Sequence, residues 1–166
     1  MNYKKWHIWG FVFISIFGVF LHFAYELSGE AKLVGYFGAV NESLWEHLKL
    51  IFWPVFLFSL IEFFAYGKNE KDFFAIKMCS LFCSLMFLVV FFYTYSGILG
   101  FSLSAVDITL FFVSIFINQY ISYRLLTSDG SGDNSDSFRG FIVLMLLAVC
   151  FIIWTYNPPM LGIFWE

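Results

Sequence analysis

Five stretches of about 20 residues, almost free of Asp, Glu, Lys and Arg, run through this 166-residue chain and decide what it can fold into. A helix crossing the apolar core of a bilayer needs about that length, because every backbone N–H and C=O must be bonded within its own segment. The stretches predict helices over 6–27, 42–66, 74–96, 104–126 and 139–157. Ser96-Gly97-Ile98-Leu99-Gly100 supplies the turn between the third and fourth, Pro158-Pro159 stops the fifth, and Pro54 is expected to kink the second. A soluble alternative has no surface to work with. The chain is 61% apolar, 24% aromatic and 13% charged, whereas a soluble domain carries about 25% charged residues. Its net charge of −3 gives no basic face for nucleic acid. The expectation is all-α: a polytopic membrane helix bundle, one transmembrane domain over 1–166, whose first partner is the lipid bilayer.

Cations set the expected orientation. With the N-terminus inside, Lys4, Lys5, Lys68, Lys71, Lys77, Arg124 and Arg139 lie on the inner side, and only Lys32 and Lys49 on the outer. Five spans then put the N-terminus in and the C-terminus out. The first span follows Lys4-Lys5 as a signal peptide would, but no small-residue cleavage site follows it, so it is expected to remain as an anchor. Residues 127–138 are expected to form a polar cytoplasmic loop. Part of that stretch, Asp129 to Gly140, has a superficial likeness to a calcium loop. Asn134 stands where such a loop requires Gly, and Gly140 where it requires Glu. Cys79, Cys83 and Cys150 have no metal-ribbon spacing and read as small hydrophobes.

Under this topology, polar residues from distant segments converge on the outer leaflet, and ionisable groups at membrane depth mark function by default. His22 and Glu26 end the first helix, Asn41 to Lys49 open the second, and Asp107 opens the fourth. At 100° per residue, Glu42, Glu46, Lys49 and Trp53 form one stripe on the second helix, while His47 points about 100° away from Glu46. Asp107, Ser114 and Asn118 make a stripe leading inward along the fourth. A purely structural account also exists, since Ser43-x-x-Glu46 fits a capping box. Deeper in, Glu62 is expected to pair with Lys77 or Arg124. His7, next to Lys4 and Lys5, reads as an interfacial anchor.

His22-Phe-Ala-Tyr-Glu26, Val40-Asn-Glu-Ser-Leu-Trp-Glu-His-Leu-Lys49 and the ending Tyr156-Asn-Pro-Pro-Met-Leu-Gly-Ile-Phe-Trp165 resemble an uncharacterised family of small integral membrane proteins from Gram-positive bacteria with a VNESxWEHxK signature. The resemblance implies about five spans in a bacterial cell membrane. It groups Asn41, Glu42, Ser43, Trp45, Glu46, His47 and Lys49 without giving them roles.

The leading expectation is a metal-dependent membrane hydrolase open to the outer leaflet. His22, His47 and one of Glu26, Glu42 or Asp107 would hold a divalent metal such as zinc, since catalytic zinc takes three His or carboxylate ligands and a water. Glu46 would act as general base, and Lys49 or Asn41 would steady an oxyanion. Two rivals stand beside it. One is a transporter or channel subunit using the stripe on the fourth helix, completed by a homo-oligomer. The other is a structural subunit that binds a membrane partner.

Overall fold

The computed structural model describes residues 2–128 and 133–165. Six α-helices follow one another among them: α1 (Tyr3–Leu27), the single turn α2 (Lys32–Gly35), α3 (Leu44–Ala65), α4 (Phe73–Leu99), α5 (Ser104–Leu126) and α6 (Asn134–Tyr156). All but α2 are long and apolar enough to cross a membrane, which gives five spans among the described residues.

Local chemistry sets the helix ends. The Asn2 side chain accepts from the Lys5 backbone N–H at 3.1 Å and starts α1. Ser43 does the same for α3, accepting from the Glu46 N–H at 3.4 Å. Helix α4 runs three residues past its expected end and stops at Gly100, whose φ of 78° costs glycine nothing. Helix α6 begins five residues early. Asp133 precedes it and Asp136 lies in its first turn, where negative charge meets the positive end of the helix dipole. The Ser135 hydroxyl, donating to Asp133 at 2.9 Å, holds that carboxyl below its usual value. The second half of the expected loop 127–138 is therefore helix. Residues 129–132, with much of the calcium-loop likeness, lie outside the described residues.

Helix α1 packs on α3 and α5, α4 on α5 and α6, and α3 on α4. Half or more of the most apolar stretch of α3 and of α4 is buried, but a third or less of α1, α5 and α6. The outer three carry exposed Ile16, Phe20, Phe23, Phe116, Leu146 and Ile153. Such a girdle suits lipid and would aggregate in water.

Pro54 sits inside α3 and has no N–H for the carbonyl of Leu50, one turn back. Gly18 of α1 lies against that carbonyl. A Cβ there would stand 2.7 Å from the Leu50 oxygen and 2.7 Å from the Phe111 ring, so glycine is what lets α1, α3 and α5 meet. The tail folds back on α3. Phe164 packs against Trp45 with tilted rings, centroids 4.6 Å apart, which joins the two sequence segments 40–49 and 156–165 in space.

The antiparallel order brings the ends of α1, α4 and α6 and the starts of α3 and α5 to one end of the bundle, the His22 end. The opposite one is the Lys77 end.

Candidate metal centre

At the His22 end, His22 comes from the last turns of α1, His47 from the first turn of α3, and Glu42 from the residue before the Ser43 cap. One ligand atom from each lies within 4.8 Å of the other two, so the three could hold a metal ion. The two imidazole rings meet edge to face, 5.5 Å between centroids. His47 Nδ1 donates to the Ser43 carbonyl at 2.9 Å, since a carbonyl can only accept. That bond fixes the tautomer and turns Nε2 outward, 3.5 Å from a Glu42 carboxylate oxygen. Both histidines are half-buried and Glu42 is exposed.

Beside these three lies a cavity of about 380 Å³ between α1, α3, α4 and α5. Asp107, Ser102 and Ser104 line it on the polar side; Leu88, Phe92 and Phe111 contribute apolar wall. The Tyr95 hydroxyl donates to the Asp107 carboxylate and holds it in place. Asp107 shares the cavity but is not in the group of three, and exposed Glu26 is outside it as well.

Glu42 reaches His47 because it is not on a helix. With α3 starting at Leu44, the stripe drawn through Glu42, Glu46 and Lys49 does not include Glu42, and the 100° arithmetic does not apply to it.

Glu46 and Lys49 go elsewhere. They form an ion pair of 2.5 Å, with side chains 2% and 0% exposed. Lys49 Nζ also donates to the Gly35 carbonyl at 2.8 Å and to Thr155 Oγ1 at 2.9 Å, while Glu46 accepts from the Val40 N–H at 2.9 Å. The pair ties α3 to α2 and α6. Neither is in the group of three: the Glu46 carboxylate is taken by Lys49 and the Val40 N–H, and Lys49 Nζ by Glu46, Gly35 and Thr155. Asn41 is used locally too, its Oδ1 accepting from the Ser43 N–H at 3.0 Å. The capping box is thus half made: Ser43 caps, but the Glu46 carboxylate bonds Val40 rather than Ser43.

The Lys77 end holds a second buried pair, Glu62 with Lys77 at 2.5 Å. Tyr66 donates to Glu62 at 2.6 Å, and Lys77 donates to Ser122 at 2.8 Å. His7 completes the network. Its Nδ1 donates to the Tyr3 carbonyl at 2.8 Å, so Nε2 accepts from the Ser122 hydroxyl at 3.1 Å. His7 is 5% exposed and is therefore a core residue, not an interfacial anchor. The sequence held the signal. His7, Gly10, Ile14, Gly18, Leu21 and Ala24 recur at helical spacing and are all buried, so His7 continues a stripe of mostly small residues that packs against other helices. On α5, Ser114, Asn118 and Ser122 are buried at four-residue spacing, extending the stripe read from the sequence to the Lys77 network.

The model of a family of unknown function, DUF6512, matches residues 1–166. No curated protein and no solved structure matches the chain.

Proposed function

We propose that this chain, which belongs to DUF6512, binds a divalent metal ion through His22, His47 and Glu42 and uses it for hydrolysis in the adjoining cavity. One observation carries the reading: an imidazole from α1 and an imidazole and a carboxylate from the segment 42–47, at least 20 residues further on, converge within 4.8 Å at the wall of a 380 Å³ cavity. Nitrogen and oxygen donors of this kind suit zinc, which binds at about 2.0–2.2 Å, so the three side chains would have to draw closer on binding. The Ser43 carbonyl behind His47 supports the assignment, since metal-binding histidines anchor their second nitrogen in this way.

A metal held by these three side chains would supply an activated water, whose pKa such an ion lowers to about 7. The Asp107 carboxylate would take the proton as the water oxygen adds to a carbonyl carbon. The same proton would pass to the leaving group as its bond to carbon breaks. Glu46 and Lys49 would hold the α3 segment that carries His47. The excess of Lys and Arg on the far side of the bundle supports an outer-leaflet site in a multi-pass cell-membrane protein.

Metal analysis of the purified protein tests the reading. About one zinc per chain should survive gel filtration and leave with a chelator. A metal content unaffected by His22→Ala and His47→Ala would overturn it. The buried run Ser114, Asn118 and Ser122 favours a second reading, transport along α5, and substrate-independent ion flux into liposomes would support that one instead.

A further inference from the structure

The cavity at the histidines does not end among polar residues. A smaller hollow of about 100 Å³ shares His22, His47 and Asp107 with it and continues between α1 and α5. Its floor is Gly18 and Leu50, both buried. Its rim is Val19, Ile108 and Phe112, which are 43%, 58% and 36% exposed on the lipid-facing side of the bundle. A molecule in the bilayer can therefore reach the histidines sideways, without first passing through water.

The two linings differ in kind. The hollow is apolar up to His22, His47 and Asp107, whereas the larger cavity adds Glu42, Ser102 and Ser104. Neither lining contains Lys or Arg; of the two lysines at that end, Lys49 is spent on Glu46 and Lys32 lies outside both linings. With a divalent cation in place, Glu42 and Asp107 would balance its charge, so the site offers no net attraction to a phosphate or carboxylate group. The apolar lining of the gap matches a short stretch of acyl chain, and the charge balance of the site matches an uncharged carbonyl.

Resting on the metal-hydrolase reading, we infer that the substrate is an amphiphile: a lipid whose acyl chain enters between α1 and α5 and whose uncharged ester or amide is presented to His22, His47 and Glu42. Hydrolysis would add water across that bond, the oxygen going to the acyl carbon and the proton to the departing alcohol or amine, with no oxidant or reductant.

The test uses the full chain in phosphatidylcholine vesicles doped with a phosphatidylcholine carrying a diazirine on its acyl chain. Photolabelling should favour Val19, Ile108 and Phe112 over equally lipid-facing Leu146 and Ile153 of α6. With the zinc-loaded protein, the ratio of kcat/KM for p-nitrophenyl decanoate to that for p-nitrophenyl acetate should fall about tenfold on Ile108→Trp, which would fill the gap, while bound zinc stays the same. Uniform labelling of α1, α5 and α6, or an unchanged ratio with full zinc content, overturns the lipid inference and leaves the metal reading standing. Absence of zinc or of hydrolysis of either ester overturns the metal reading, and the labelling pattern still decides whether an acyl chain occupies the gap.

Discussion

The two ends of the bundle handle charge in opposite ways. At the Lys77 end, Glu62, Lys77, Tyr66, Ser122 and His7 bond one another inside the protein, and the ionic side chains are 1–3% exposed. At the His22 end, His22, Glu42 and His47 face a cavity, and the fully enclosed charges among the described residues are Glu46 and Lys49, which again satisfy each other. Where donors and acceptors close on themselves, the arrangement holds helices together. Where they gather at the wall of a cavity, room is left for something else. An ionisable residue at membrane depth is thus a weak pointer to function until its partners are known.

This contrast can be broken by substitution, and the largest effect is expected at the Lys77 end. Lys77→Ala strands the Glu62 carboxylate in the interior and should cost about 3–5 kcal/mol, read as a collapse of thermal unfolding in detergent. The double variant Glu62→Leu/Lys77→Met should recover most of that loss. A fully stable Lys77→Ala would show that water already reaches the pair.

Glu46→Gln should come next, at about 1–3 kcal/mol, because Lys49 then faces a neutral amide. Bound metal should be unchanged. If Glu46→Gln kept its stability and lost its metal, the pair would belong to the site and the contrast would fail. Gly18→Ala should cost a similar amount, about 1–3 kcal/mol, by pushing α1 off the Leu50 carbonyl and Phe111. The smallest effect is expected from Glu26→Gln, an exposed residue outside the group of three: within about 0.5 kcal/mol in stability, with metal retained.

The spans were legible in the sequence because length and hydropathy dictate them: α1, α3, α4 and α5 end within about three residues of expectation, and α5 matches at both ends. Early initiation of α6 was not, since Asp133 and Asp136 read equally well as loop residues and as the start of a helix. The convergence of His22 and His47 could be argued from topology alone. What could not was the partner of each charge. Helical angles separated His47 from Glu46, but which of them faced a cavity depended on α2 and α6 closing over Glu46 and Lys49, through Gly35 and Thr155. Glu42 falls beside the histidines, as its candidacy as a ligand expects, but off the helix stripe, because the cap at Ser43 takes it off the helix. His7 was misread from its lysine neighbours, although its spacing to Gly10 and Gly18 placed it inside.

If His22, Glu42 and His47 form a metal site, Glu46 and Lys49 brace the helix that carries it. Zinc bound per folded chain, measured by mass spectrometry of the elements across four proteins, tests it most directly. The account predicts about one equivalent in the unsubstituted protein and in Glu46→Gln, and well under half in His22→Ala and His47→Ala, with all four eluting as folded species. Equal metal in all four, or loss in Glu46→Gln alone, would contradict it.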